Sequence, residues 1–187
     1  MHIEVEVKAK VLDVPLLKKR LQTLGAQFQR DYCKIDLYYR CILPDATKQD
    51  VRLRTDNGVF WVTFKDKSMS AGVEINKEHE FTVSDENPFL ELLKRFGANL
   101  IIRKVKKGTS WMLENLHVEI SDVEGLGDFV EIEYVNDVPD AEVDKHSIAA
   151  KALVEAARKK LEIPDSDVEK TPYTVLLLAR QQTLALK

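Results

Sequence analysis

The residues of this chain that can do chemistry are acids and bases set at every second position. Glu4, Glu6 and Lys8 alternate with Val5 and Val7, Arg52 and Arg54 flank Leu53, Glu78 and Glu80 precede Phe81, Glu119 sits between Val118 and Ile120, and Glu131 and Glu133 flank Ile132. A β-strand sends successive side chains to opposite faces, so each stretch predicts one apolar and one ionised face. Collected, the ionised faces carry Glu4, Glu6, Glu78, Glu80, Glu119, Glu131 and Glu133 against Lys8, Arg52, Arg54 and Lys65, with Lys104 and Lys106 as less regular additions. Strand by strand, a solvated outer face explains such a pattern. Its recurrence, beside helices whose apolar stripes can cover the other face, predicts an interior lined by charge. Burying so many ions is costly unless a guest matches them. A polyanion gripped by Arg and Lys, with divalent cations held by Glu, satisfies both sets at once.

Nucleophilic or nucleotide-loop chemistry has no comparable support. The chain has no GxSxG elbow, no HExxH helix and no GxxxxGK[ST] loop, and Gly125-Leu126-Gly127 lies between two expected strands, where it reads as a turn. His2, His79, His117 and His146 are scattered, and Cys33 and Cys41 form neither a metal-ligand spacing nor a disulfide framework.

Elements that position these residues follow from the periodicity. Strands are expected over Ile3 to Val11, Lys34 to Ile42, Val51 to Thr55, Val59 to Lys65, Glu78 to Val83, Ile101 to Lys106, Leu116 to Ser121 and Phe129 to Val135. Asp56-Asn57-Gly58 is a hairpin turn, and Glu124 to Asp128 joins the last pair. Helices are expected at Val14 to Leu24, Phe89 to Phe96, Ser147 to Leu161 and about Pro172 to Thr183, with Gly25, Gly97 and Pro164 as stops. Ser68 to Asn76 and Pro139 to Lys145 read as loops. Hairpin-linked strands with a few helices predict an α+β fold around a barrel-like antiparallel sheet, one domain over residues 1–187.

Composition bounds the partners. With 28 Lys+Arg against 31 Asp+Glu among 187 residues, a net charge of -3 gives no general attraction to nucleic acid or anionic lipid. Neither a membrane span nor a signal peptide is visible, and two cysteines fit a reduced, cytoplasmic setting. Affinity for phosphate must come from local clusters.

Those clusters, in order, carry a family pattern. Glu4-Val5-Glu6-Val7-Lys8 is an ExExK signature, followed by Asp36-Leu37-Tyr38-Tyr39, Arg52-Leu53-Arg54, Thr63-Phe64-Lys65, Glu78-His79-Glu80 and the run HVEISDVEGLGDFVEIE from His117 to Glu133. The chain resembles the CYTH superfamily, the triphosphate tunnel metalloenzymes, and most of all its class IV adenylyl cyclase branch. The resemblance implies a closed eight-stranded antiparallel β-barrel with flanking helices, a tunnel in which basic residues bind a triphosphate and glutamates bind Mg2+ or Mn2+. It implies Glu4, Glu6, Glu131, Glu133 and Asp122 as metal ligands, and Lys8, Arg52, Arg54, Lys65, Lys104 and Lys106 as phosphate contacts. Glu6, Lys8 and Glu131 are the implied catalytic set, with Glu78, Glu80 and Glu119 extending the acidic lining. Simple alternation places Asp122 with Val118 and Ile120 on the apolar side, so a bulge near Ser121 is needed to turn it inward. The pattern is broken at Gly108, where the family has an arginine two places after Lys106, at Pro172-Tyr173, where a Ser-Tyr pair is usual, and at Arg40, where an aspartate is common.

Three functions remain. An adenylyl cyclase would convert ATP to cyclic AMP and pyrophosphate. A phosphohydrolase would cleave tripolyphosphate, thiamine triphosphate or a nucleoside triphosphate. A non-catalytic polyphosphate or nucleotide binder would do neither, and the paired carboxylates argue against it. The oligomeric state is open, a homodimer included.

Overall fold

Period-two alternation folds into eight strands: β1 (His2–Lys10), β2 (Gln27–Ile42), β3 (Lys48–Asp56), β4 (Val59–Ser70), β5 (Val73–Val83), β6 (Asn99–Leu113), β7 (Leu116–Val123) and β8 (Gly127–Asp137). They form one antiparallel sheet in the order β1-β8-β7-β6-β2-β3-β4-β5. Among the described residues four α-helices accompany it: α1 (Val14–Thr23), α2 (Glu86–Arg95), α3 (Val143–Lys160) and α4 (Tyr173–Ala185). The computed structural model describes the backbone of residues 2–70, 73–137 and 143–185, and the side chains of 4–64, 79–136 and 146–183. Among the described residues no helix is long and apolar enough to cross a membrane.

Local chemistry sets the boundaries. Asp13 caps α1 by accepting from the Leu16 N–H at 2.9 Å, and Asp85 caps α2 by accepting from the Asn87 N–H at 2.9 Å. Between β3 and β4, Asn57 and Gly58 both hold positive φ (51° and 77°), the geometry of a two-residue hairpin turn that suits twisted strands. Three expected boundaries are corrected. β2 begins at Gln27, and from Arg30 onward burial alternates, Arg30, Tyr32 and Lys34 being more buried than Asp31 and Cys33, a pattern that the polar Arg30 and Lys34 hide in the sequence. The loop expected over Ser68 to Asn76 is mostly strand, since β4 runs through Ser70 and β5 resumes at Val73. Helix α3 starts at Val143, inside the loop expected at Pro139 to Lys145, of which residues 139–142 lie outside the described backbone.

The chain divides into two compact units, residues 1–32, 67–77 and 107–171 in the first, and 33–66, 78–106 and 172–187 in the second. In the first, α3 lies against β1 and β8 and covers their apolar face: Val7, Ala9, Val118, Ile120, Val130 and Ile132 pack with Val154, Ala157 and Leu161 into one core. Each fully buried Val, Leu or Ile contributes about 1.5–3 kcal/mol. In the second, Leu53, Val62, Leu93, Ile102 and Leu177 are buried. In the first unit the helical cover lies on the apolar side of the strands, which leaves the ionised side for chemistry.

Candidate functional site

The first unit holds an acidic centre. Register sets Glu6 opposite Glu133 and Lys8 opposite Glu131 across β1 and β8, while His117 and Glu119 of β7 face Glu133 and Glu131. All therefore share one face. Carboxylate oxygens of Glu4, Glu6 and Glu133 lie within 4.8 Å of one another. Burial, a hydrogen bond shared with Glu4, and the charges of Glu4, Glu6 and Glu119 push the Glu133 carboxyl up to about 10, which favours a proton held within this group of carboxylates. Three hard oxygen donors whose mutual repulsion is relieved by holding a proton fit a divalent cation, which would relieve it better. Beside them Lys8, 8% exposed, donates its ammonium to the Thr171 carbonyl, and the Lys8 carbonyl accepts from the Glu169 N–H at 2.8 Å.

The second unit holds a cationic centre built around a residue outside the expected set. Asp36 is 0% exposed. Arg54 grips it with two bonds, Nε to Oδ1 at 2.7 Å and Nη2 to Oδ2 at 3.0 Å, and Lys104 Nζ lies 2.9 Å from Oδ2. Burial alone would raise the Asp36 pKa, but the Lys104 charge, the Arg54 hydrogen bond and the Arg54 and Arg52 charges outweigh it and hold the carboxyl well below the usual carboxylate range. Lys104 also donates to the Tyr38 hydroxyl at 3.2 Å. The Tyr173 ring lies 5.3 Å from Lys104 Nζ and 5.6 Å from Lys106 Nζ, within cation–π reach of both. Arg52 Nη2 donates to Thr63 Oγ1 at 2.9 Å, and that hydroxyl donates to Glu80 Oε2 at 2.9 Å. The Arg52 Nε is buried with no acceptor among the described residues. A buried cationic donor in this condition is what an anionic ligand satisfies.

Exposure separates the two readings of the charged faces. A solvated face would leave its ions in water, whereas Lys8, Lys104 and Lys106 (3% exposed) are buried, with Glu6 and Glu80 as exposed members of these faces. The expected residues are thus brought together as two groups, Glu4, Glu6 and Glu133 with Lys8, Glu119 and Glu131 alongside, and Arg52, Arg54, Lys104 and Lys106 with Glu80. Lys65 and Glu78 lie outside the residues whose side chains are described. Asp122 is not brought to the acidic group: it is exposed, opposite Asp128, in a register that runs one to one from His117 through Val123 without the bulge it needs.

Gly108 has a physical reason. A Cβ there would lie 2.0 Å from the Ile120 carbonyl oxygen and 2.7 Å from the Ser121 Cα. The β7 backbone occupies the space, so this chain has no room for the arginine of the family pattern. Asp36, Tyr38, Thr63 and Tyr173 were missed as site residues. For Asp36 and Tyr38 a signal existed, since alternation through Lys34-Ile35-Asp36-Leu37-Tyr38 sets both on one face opposite Arg54 and Arg52.

A CYTH domain family model matches residues 2–171. A protein of Methanocaldococcus jannaschii named "putative adenylate cyclase" is 31% identical over 135 residues, 70% of this chain and 76% of that protein. The solved structure of the PH1012 protein from Pyrococcus horikoshii superposes with a TM-score of 0.76 at 27% identity, covering 94% of this chain and 99% of its own. A Hippeastrum protein, described as a "putative adenylyl cyclase" with a dominant triphosphatase activity, matches with a TM-score of 0.59 at 18% identity over 97% of this chain and 96% of its own, a likeness of fold.

Proposed function

The chain belongs to the CYTH domain family, and from that membership and its two charged centres we infer a metal-dependent enzyme that converts ATP to cyclic AMP and pyrophosphate. The observation that carries this reading is the meeting of Glu4, Glu6 and Glu133 within 4.8 Å, because a protein that only binds anions has no use for adjacent carboxylates. Mg2+ or Mn2+ held there would supply charge neutralisation and Lewis acidity.

The chain's own residues supply positioning. Phosphoryl chemistry needs charge stabilisation and in-line placement more than a protein nucleophile, which fits the lack of any nucleophile motif. Arg52, Arg54, Lys104 and Lys106 take the phosphate oxygens, and Lys8 adds a cation on the acidic side. Asp36 keeps Arg54 and Lys104 in fixed orientations, so little ordering is left for the moment of binding. In the reaction the ATP 3′-hydroxyl oxygen bonds to the α-phosphorus, the α–β bridging oxygen departs with pyrophosphate, and the hydroxyl proton passes to water. A second reading, hydrolysis of the terminal phosphate by water in the same cradle, is favoured by the dominant triphosphatase activity of the Hippeastrum protein.

Product identification separates them. Purified protein is incubated with ATP, tripolyphosphate or thiamine triphosphate and Mg2+ or Mn2+. Cyclic AMP and pyrophosphate are expected from ATP. Orthophosphate without cyclic AMP replaces the cyclase with the hydrolase, and tight metal-dependent binding without turnover leaves a binder.

A further inference from the structure

Trp61 lies on β4 directly opposite Arg54, on the face that carries Arg52, Arg54 and Thr63. It is 36% exposed. The other tryptophan, Trp111, is buried in the core of the first unit with its ring edge-on to Phe28 at 5.4 Å. A large apolar ring on an ionised face has an ordinary explanation, stacking beneath a cross-strand guanidinium. That explanation fails here. Arg54 turns away, giving Nε and Nη2 to Asp36 on β2, the strand on the far side of β3. Among the described residues no cation and no second ring stands over Trp61.

The indole is left with an open π-face one strand spacing, about 5 Å, from the Arg54 position, while Arg52 follows about 7 Å further along β3. Two cations for phosphate and one open ring at this separation match a phosphate chain joined through a sugar to a planar heterocycle. Inorganic tripolyphosphate has nothing to offer the ring. We propose that Trp61 is the stacking platform for the base of a nucleoside triphosphate and the residue that sets preference for an organic over an inorganic triphosphate. This rests on the reading that the cationic centre binds triphosphates.

The test compares the unmodified protein with Trp61→Ala and Trp61→Phe, using ATP and tripolyphosphate with Mg2+. Base–aromatic stacking predicts that Trp61→Ala raises the ratio of the ATP to the tripolyphosphate dissociation constant by about tenfold or more, with Trp61→Phe restoring most of it. Tryptophan fluorescence gives an independent readout: ATP quenches the unmodified protein more than tripolyphosphate does, and the difference vanishes in Trp61→Phe, which leaves only Trp111. An unchanged ratio, or ATP quenching that persists in Trp61→Phe, overturns the proposal while leaving triphosphate binding intact. If the unmodified protein binds neither compound, the functional reading fails, and the role of Trp61 with it.

Discussion

Replacing Asp36 by asparagine removes one charge and almost no volume, which makes it a sharp probe of the cationic centre. The carboxylate is 0% exposed and compensates Arg54, 20% exposed, and Lys104, 7% exposed. Asparagine keeps one acceptor but aims an NH2 group at a guanidinium or an ammonium, so at least one of the contacts at 2.7, 2.9 and 3.0 Å is lost. Removing one partner of a buried ion pair costs about 3–5 kcal/mol. In a chain of this size each kcal/mol moves Tm by roughly 2–4 °C, so the variant should melt roughly 6–20 °C lower at pH 7. The pH dependence has a definite sign. Asp36 has a folded pKa depressed below its ordinary 3.8, so its contribution is present above that value and is lost as the pH falls through the folded pKa. The gap between variant and unmodified protein should therefore hold at neutral pH and narrow only in strong acid. Tripolyphosphate replaces part of the missing negative charge, so it should raise the Tm of Asp36→Asn more than that of the unmodified protein. Thermal unfolding followed by circular dichroism, with and without tripolyphosphate, checks both statements. Equal melting temperatures, or an equal gain from tripolyphosphate, would refute the placement of Asp36 as the counter-charge.

Two further perturbations test the neighbouring geometry. Gly108→Ala sets a methyl group against the Ile120 carbonyl and should cost about 1–3 kcal/mol or more, read as a lower Tm; Gly108→Arg should fail to accumulate as folded protein, not gain a phosphate contact. The Glu133 carboxyl, raised from 4.5 to about 10, contributes fully to metal-free stability below about pH 4.5, and that contribution falls away as the pH climbs toward 10. A divalent ion must displace its proton, so Mg2+ affinity should rise with pH across this window and binding should release protons, measurable by calorimetry in buffers of different ionisation enthalpy. Glu133→Gln should flatten that pH profile.

Much of this arrangement was legible because alternation is a strong code. Glu4, Glu6 and Lys8 could be assigned to one face without coordinates, and the one-to-one register of β1 with β8 brings Glu6 to Glu133 as the pattern requires. Asp122 shows the code working against a family analogy: its parity places it with Val118 and Ile120, and the unbroken β7–β8 register keeps it there. Partners distant in sequence were not legible. That Lys8 reaches the Thr171 carbonyl, or that Tyr173 stands beside Lys104 and Lys106, depends on how α4 and the segment before it return to strands far away in the chain. The blockage at Gly108 was equally invisible, since it is imposed by the backbone of another strand. Strand ends rich in Gln, Ser and Lys, as at Gln27 and Ser70, carry too little apolar contrast for periodicity to mark them.

The proposal that this chain binds a triphosphate together with a divalent cation held by its carboxylates is tested most directly by coupled binding. Tripolyphosphate affinity is titrated with and without Mg2+ in the unmodified protein and in Glu6→Gln. Tighter binding with Mg2+ in the unmodified protein, largely lost in Glu6→Gln, is the predicted result. An affinity indifferent to Mg2+ in the unmodified protein, or an enhancement untouched by Glu6→Gln, would contradict it.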